Sequence, residues 1–237
     1  MTFQKISSPT LKELFIEQIE DMILSNELKI GQKLPSEREM AQMMQVSRSV
    51  VNDGIVEMAR KGFLKIIPRQ GTYVADYKKE GTINILFSIM KNRHVSNDYI
   101  QSILQLRIYL MNLTLESSIE NITQKDLQQL EAISLSLKNS STMQEAALCL
   151  YEFDHYLTTL SANLLLPLIV TSFKNPNMIL FERYLQKYGT TKMYERNLLL
   201  LQCLERKDLN KAKKIMQTSI ENTLNGQTQI FFDEIKK

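Results

Sequence analysis

The sequence predicts a mainly α-helical protein with one short β-hairpin. Three observations lead to this fold class. Apolar residues recur at helical spacing along most of the 237 residues. Runs rich in β-branched and aromatic residues are confined to residues 63–75. From residue 83 onward, helical segments follow one another, separated by Asn, Ser, Gly or Asp. The chain is therefore expected to have an N-terminal domain of helices and a hairpin, and a C-terminal all-α bundle of about six to seven helices.

Two successive helices are predicted ahead of the hairpin. Ser36 and Glu39 have the spacing of a capping box, in which each side chain binds the other residue's backbone amide. Ser47 is the expected N-cap of the next helix. In that helix Arg48 and Asn52 share the face opposite the apolar residues, which are Val50, Val51, Ile55, Met58 and Ala59.

A first helix and a hairpin complete the N-terminal domain. Gly62 is the expected C-terminal stop of the second capped helix. Two strands are predicted at residues 63–67 and 72–75, around a turn that contains Arg69. The first helix is expected to pack its apolar stripe onto the other two helices, through Leu11, Leu14, Phe15, Ile19, Met22 and Ile23.

The charge distribution points to nucleic acid as the partner of this domain. Residues 29–79 contain ten Lys/Arg and five Asp/Glu, whereas the whole chain has a formal net charge of only +3. Helices followed by a basic hairpin form a winged helix-turn-helix, which places its second capped helix in the major groove. The expected DNA-binding residues are Ser36, Arg38, Ser47, Arg48, Ser49, Asn52, Arg69, Gln70 and Gly71.

The motifs resemble those of a known family. Residues 33–41, with the sequence Lys-Leu-Pro-Ser-Glu-Arg-Glu-Met-Ala, are followed by Val-Ser-Arg at 46–48 and Gly-Thr-Tyr-Val at 71–74. Together with Gly62-Phe63, they resemble the N-terminal domain of GntR-family bacterial transcriptional regulators over residues 8–77. The resemblance implies that Arg38 and Arg48 meet DNA and that Gly71 lets the wing approach the minor groove.

This chain departs from the family pattern at one DNA-facing position. Where the family usually has a second arginine one helical turn after Arg48, the chain has Asn52. Asparagine pairs best with adenine and arginine with guanine. The half-site is therefore expected to differ from the usual family sequence.

The predicted domain limits follow from the end of the strand pattern. Residues 1–77 form the expected DNA-binding domain, 78–82 a charged linker, and 83–237 an all-helical domain for effector binding and dimerisation. Residues 153–163 and 197–219 resemble the ligand-binding domain of the FadR branch of the family. Thr82–Leu86 and Leu106-Arg107 look closest to fatty-acid-responsive FadR proteins.

Many relatives in this branch hold a metal ion with an aspartate and three histidines. The resemblance places these four ligands at Tyr151, His155, Asn197 and Ser219 of this chain. Three of the four expected ligands are thus replaced, and one imidazole with neutral oxygens is a poor donor set for a divalent ion. The sequence therefore predicts no metal and no other cofactor.

The helical domain offers candidate effector-binding residues, each with an ordinary structural alternative. Arg107 lies among apolar residues of a long helix, so it is either paired structurally or directed at an anionic effector. His155 is either a core histidine or a polar anchor. The full candidate set is Arg107, Tyr151, His155, Tyr194, Asn197 and Ser219, for each of which helix packing is the alternative role.

Other function classes lack support in the sequence. The chain has two histidines, seven glycines and no assembled catalytic motif, so an enzyme is not expected. Cys149 and Cys203 are far apart and indicate neither a disulfide framework nor a zinc finger. No signal peptide or membrane span is predicted, which favours the cytoplasm.

The sequence as a whole predicts a homodimeric transcriptional regulator that acts as a repressor on a palindromic operator in double-stranded DNA. Its expected effector is a fatty acyl compound. A small polar carboxylate or sugar acid is the alternative effector, and a DNA-binding dimer without any effector is the third possibility.

Overall fold

The computed structural model describes residues 9–83, 85–91 and 96–231. The chain divides into two compact units, Met1–Val95 and Ser96–Lys237. The elements of the first unit are α1 (Leu11–Leu24), α2 (Glu37–Met43), α3 (Arg48–Lys61), β1 (Leu64–Ile67), β2 (Gly71–Val74), α4 (Tyr77–Glu80) and α5 (Ile85–Lys91). The mainly helical fold with one small hairpin is confirmed.

The helix starts and stops follow the local sequence. The hydroxyl of Ser36 accepts from the amide of Glu39, whose carboxylate accepts from the amide and hydroxyl of Ser36, so the predicted capping box is present. The hydroxyl of Ser47 caps α3 through the amide of Val50. Gly62 ends α3 at a φ of 95°, a left-handed conformation that suits a residue without a side chain.

The buried stripe of α1 is rotated from the predicted one. Phe15, Ile19 and Ile23 are buried as expected, but Leu11 and Leu14 are exposed, and Ile16 is buried instead. Gly54 of α3 explains the close packing of the two helices: a Cβ added there would lie 2.4 Å from the Phe15 ring. The aromatic ring therefore packs directly on the α3 backbone.

The hairpin is antiparallel, with Leu64 opposite Val74 and Ile67 opposite Gly71. The turn residue Arg69 has a φ of 64° and Gly71 one of 119°. Gly71 suits the second of these conformations because it has no Cβ. The two predicted strands are confirmed. The first begins one residue later than predicted, and the second begins and ends one residue earlier.

The predicted charged linker contains a short helix. Residues 78–82 overlap α4, and the next helix, α5, belongs to the first unit although the sequence assigned residues 83–91 to the helical domain. Asn84 of that segment lies outside the described residues. A buried polar contact holds α5 in the first unit. The hydroxyl of Ser88 (α5) and the ammonium group of Lys61 (α3) both donate to the carboxylate of Glu20 (α1), each at 2.9 Å.

Over residues 96–231 the second unit contains seven α-helices and one turn of 3-10 helix, Ile119–Asn121. Its α-helices are α6 (Asn97–Ser118), α7 (Gln124–Lys138), α8 (Met143–Thr159), α9 (Leu166–Ser172), α10 (Lys174–Tyr188), α11 (Thr191–Glu205) and α12 (Leu209–Asn225). In this bundle α8 packs against α7 and α10, and α12 packs against α6 and α11.

One break in the bundle separates two helices that follow each other directly. Helix α9 ends at Ser172 and α10 begins at Lys174, with Phe173 between them. Pro176 lies in the first turn of α10, where a missing backbone N–H costs no helical hydrogen bond. In the described residues no helix is long and apolar enough to cross a membrane.

Candidate DNA-binding face and effector site

The first unit exposes the whole predicted DNA-binding set. Arg48 and Asn52 are separated by one turn of α3, so they lie on the same helical face. That face is opposite the buried residues Val51, Ile55 and Met58. Solvent reaches all nine candidates, which are Ser36, Arg38, Ser47, Arg48, Ser49, Asn52, Arg69, Gln70 and Gly71.

The caps of α2 and α3 leave backbone amides directed outward at the starts of both helices. Helix N-termini carry a partial positive charge and bind phosphate readily. Arg48 adds a full positive charge at the start of α3, whereas Arg38 in the first turn of α2 lies between Glu37 and Glu39. The arrangement can therefore bind the DNA backbone and present side chains to bases.

The wing supplies a third basic element. Arg69 and Gln70 form its exposed tip, and Lys33 pairs with Tyr73 beside the hairpin as an isolated antiparallel bridge. The Lys33 side chain is the nearest neighbour of Gly71. The tip thus has a narrow backbone with two cations close by, a shape that fits a minor groove.

A buried charge cluster occupies the core of the second unit. One guanidinium nitrogen of Arg107 (α6) donates to Asp154 (α8) in a short hydrogen bond. Arg196 (α11) approaches the other Asp154 oxygen at 3.5 Å and donates to the Oδ1 of Asn197 at 2.7 Å. The Asn197 amide donates in turn to the hydroxyl of Ser134 on α7, at 3.2 Å. The cluster therefore links four helices.

Burial perturbs one charged group of this cluster, Arg196. Desolvation lowers the pKa of Arg196, and the Asp154 carboxylate opposes that effect. Arg107 also stacks on Phe181, with 4.3 Å between the guanidinium carbon and the ring centre. Aromatic stacking and a carboxylate together hold an arginine inside a protein.

Two small cavities adjoin the cluster. The first has a volume of about 20 Å³, room for about one water molecule. Its walls include Arg107, Asp154 and Asn177 and are otherwise largely apolar, with Met111, Val170, Phe173 and Phe181 among them. The second cavity, of about 10 Å³, is lined by Arg107, Phe181, Tyr184, Arg196, Ser219 and Thr223.

The predicted effector residues are divided among different surroundings. Arg107 lines both cavities, Tyr151 lines the first, and Ser219 lines the second. His155 stacks on Tyr151 with 5.4 Å between ring centres and shares a 3.0 Å hydrogen bond with the Thr171 hydroxyl.

Asn197 and Tyr194 lie apart from the cavity walls. Asn197 is fully buried and its amide is already bound within the charge cluster. Tyr194 is partly exposed under Lys138, whose ammonium nitrogen is 5.3 Å from the ring centre. The structure thus brings together three of the six candidates at the cavities.

The four positions that the FadR-branch resemblance assigns to metal ligands do not form a matching donor set here. No group of three His, Cys, Asp or Glu side chains that could hold a metal ion occurs in the described part of the chain. The Asn197 oxygen accepts from the guanidinium of Arg196, a fixed cation that would repel a divalent ion. The residues present therefore do not fit a metal, and its absence from the protein stays a prediction.

Sequence reasoning missed Asp154 and Arg196. Arg196 falls on the buried side of α11, at the spacing of Met193, Leu200 and Cys203. Asp154 falls likewise between the buried residues Phe153 and Leu157 of α8. A charged residue at an apolar position of each of two helices was the available signal, since buried charges need a partner.

Comparison with known proteins agrees with this architecture. Residues 11–74 match the family model for bacterial regulatory proteins of the gntR family. The transcriptional repressor NanR of Salmonella newport is 24% identical over 221 residues, which are 90% of this chain and 83% of NanR. The regulator Mce2R of Mycobacterium tuberculosis is 27% identical over 109 residues, and the match spans 46% of this chain and 45% of Mce2R.

A solved structure supports the fold. The Lar protein, described as controlling the expression of the Listeria monocytogenes agr system, superimposes with a TM-score of 0.64 at 15% identity. The match covers 92% of this chain and 97% of that one. Residues 11–74 thus match the gntR family of bacterial regulatory proteins, and the helices of the second unit follow this domain in the chain.

Proposed function

We propose that this DNA-binding transcriptional regulator is a cytoplasmic repressor of the FadR branch that binds a palindromic operator as a homodimer. The observation that carries the proposal is the exposed basic face of α2, α3 and the wing, with Arg48 and Asn52 one helical turn apart. A single such face covers one half-site, and two copies related by symmetry read a palindrome. The similarity to a repressor, NanR, supports the sign of regulation.

The second part of the proposal is control by a small effector in the helical domain. A fatty acyl compound is the effector class that the sequence predicts. The largely apolar lining of the first cavity supports it, because each buried methylene contributes about 0.8 kcal/mol to binding. A short polar acid is the second candidate. It is favoured by the small size of both cavities, which must expand less to admit a short acid than a long chain.

The DNA-binding part is tested by selecting bound sequences from random duplexes and measuring affinity for the recovered site at fixed salt. Replacing Arg48 by Ala is expected to cost about 1–3 kcal/mol of binding free energy. Arg60→Ala is the matched control, since Arg60 is exposed near the other end of α3. Equal losses in both variants, or no loss with Arg48→Ala, would contradict the assignment of the recognition face.

The effector class is tested by operator release and thermal stabilisation across fatty acids and acyl-CoA thioesters of increasing chain length. Short sugar acids and dicarboxylates are measured alongside. Affinity that rises with chain length supports the acyl effector, because hydrophobic burial then provides most of the binding energy. If only the short polar acids release the operator, the effector is a short polar acid. If neither class of acid releases it, the protein is a DNA-binding dimer without an effector.

A further inference from the structure

The buried charges of the helical domain do not balance. The side chains of Arg107, Arg196 and Asp154 are only 11%, 4% and 5% exposed. Two cations therefore share one carboxylate, and no other carboxylate among the described residues lies within ion-pair distance of either guanidinium. A buried charge without a counter-ion is costly, so a second anion would stabilise this cluster.

Arg107 also has hydrogen-bonding capacity to spare. Within the described part of the chain, its guanidinium donates through Nη2 to Asp154, while Nε and Nη1 have no acceptor. An arginine carries five N–H donors in a planar fork that matches a carboxylate. The same side chain lines both cavities, so its free donors are next to the available space.

A third, independent group belongs to a residue that lines the first cavity. Asn177 is 8% exposed, and its Oδ1 is buried without a hydrogen-bond partner in the structure. A buried acceptor left without a donor is unfavourable by about 1–3 kcal/mol. A ligand that carries a hydroxyl or N–H near its anionic group would satisfy it.

We infer that Arg107 and Arg196 form a metal-independent binding site for the carboxylate of an organic acid, with Asp154 as the internal counter-ion that holds the pair together in the free protein. A bound monocarboxylate brings the cluster to two cations and two anions. The inference rests on the proposed function only in assigning this ligand a regulatory role.

The position of Arg107 between the two cavities indicates how the ligand is accommodated. The stacked pair of Arg107 and Phe181 belongs to the walls of both cavities. Movement of the Arg107 side chain toward an incoming carboxylate therefore opens space between them. The apolar body of the acid then lies against Met111, Val170 and Phe173, and Asp154 competes with the acid for the guanidinium groups.

The test is calorimetric titration of the full-length protein with octanoate, dodecanoate, lactate and gluconate, each beside its neutral amide, after dialysis against EDTA. At least one acid is expected to bind, and its amide to bind at least about tenfold more weakly, because loss of a charge-assisted hydrogen bond costs about 1.5–3 kcal/mol. The two long and two short acids distinguish a lipid source from a polar metabolite.

Variants assign the site. Arg107→Gln is expected to weaken the acid at least about thirtyfold, as for loss of one partner from a buried charge pair. Arg107→Lys keeps the positive charge but lacks the planar guanidinium group. Its affinity for the acid should therefore lie between those of Arg107→Gln and the wild type. Asp154→Asn removes the competing carboxylate and should tighten binding. The matched control is Arg206→Gln, an exposed arginine of the same unit, whose affinity should equal that of the wild type.

The inference is overturned if no acid binds, if acid and amide bind equally, or if Arg107→Gln binds like the control. Should Arg107→Gln fail to fold, the Lys and Asp154→Asn variants decide by the same criteria. Operator affinity without acid is measured on the same samples. If the wild type binds its operator but binds no acid, only this site is refuted. If the wild type does not bind DNA, the proposed function is refuted.

Discussion

The side-chain amide of Asn52 donates a hydrogen bond to the carboxylate of Glu37, with 3.2 Å between Nδ2 and Oε1. Asn52 lies on α3 and Glu37 on α2, so α2 orients a side chain of α3 that we propose to face the bases. The second amide hydrogen and the Oδ1 of Asn52 remain available. These are the two groups with which asparagine contacts adenine.

Substituting Asn52 by Arg should therefore change the preferred base. Arginine donates to the O6 and N7 of guanine, and a good bidentate pair discriminates by about 1–3 kcal/mol. We expect selection from random duplexes to replace adenine by guanine at one position of each half-site. The control is Glu37→Gln, which keeps Asn52 and should retain adenine. Identical selected sites for the wild type and Asn52→Arg would show that this position does not read a base.

Gly54→Ala should destabilise the N-terminal unit. A Cβ at this position would lie 2.4 Å from Cδ1 of Phe15, so α1 and α3 must separate or the ring must leave its rotamer. Overpacking of this kind costs about 1–3 kcal/mol of unfolding free energy. The measurement is denaturant unfolding. Val56→Ala, at an exposed position of the same helix, should change stability by less than about 0.5 kcal/mol, and similar values for both would contradict the close contact.

The capping box at the start of α7 should confer an acid-sensitive contribution to stability. The hydroxyl and amide of Thr123 hydrogen-bond the Asp126 carboxylate and lower its pKa. Because the folded-state pKa is depressed, the stabilisation is complete above the ordinary value of about 3.9 and is lost as pH falls through the lower folded-state value.

Asp126→Ala should consequently be less stable than the wild type near neutral pH, by about 0.5–2 kcal/mol for the lost cap. Below pH of about 3.9 the difference should shrink. Unfolding measured across this range checks the sign. Gln128→Ala, at an exposed position of the same helix, removes no carboxylate and should show no such pH dependence. A difference that grows in acid would contradict the capping role.

Treatment with a metal chelator should leave the stability of the protein unchanged. Asn197 is bound to Arg196 and Ser134, and Tyr151 and Ser219 replace two further ligands of the relatives. We expect elemental analysis to find no stoichiometric zinc, nickel or manganese, and EDTA to leave the melting temperature unaltered. An ion that survives dialysis and depends on His155 would show that the placement of the metal positions in this bundle is wrong.

Local sequence by itself determined the helix boundaries, the caps and the wing. The Ser36 box, the Ser47 cap and the Gly62 stop act over at most four residues, so the residues that decide them are neighbours in the chain. The proposed DNA-binding face was predicted from the same short-range pattern, because polar residues one turn apart must share a helical face.

Tertiary structure alone decided which side chains meet in the core and where the units divide. Helix α5 joins the first unit because Ser88 contacts Glu20, a residue 68 positions earlier. Asp154 pairs with Arg107 and Arg196 because three helices converge, and the sequence separations of 47 and 42 residues carry no periodic signal. Helical periodicity specifies which face of a helix is buried, but the partner across the core depends on how whole helices pack.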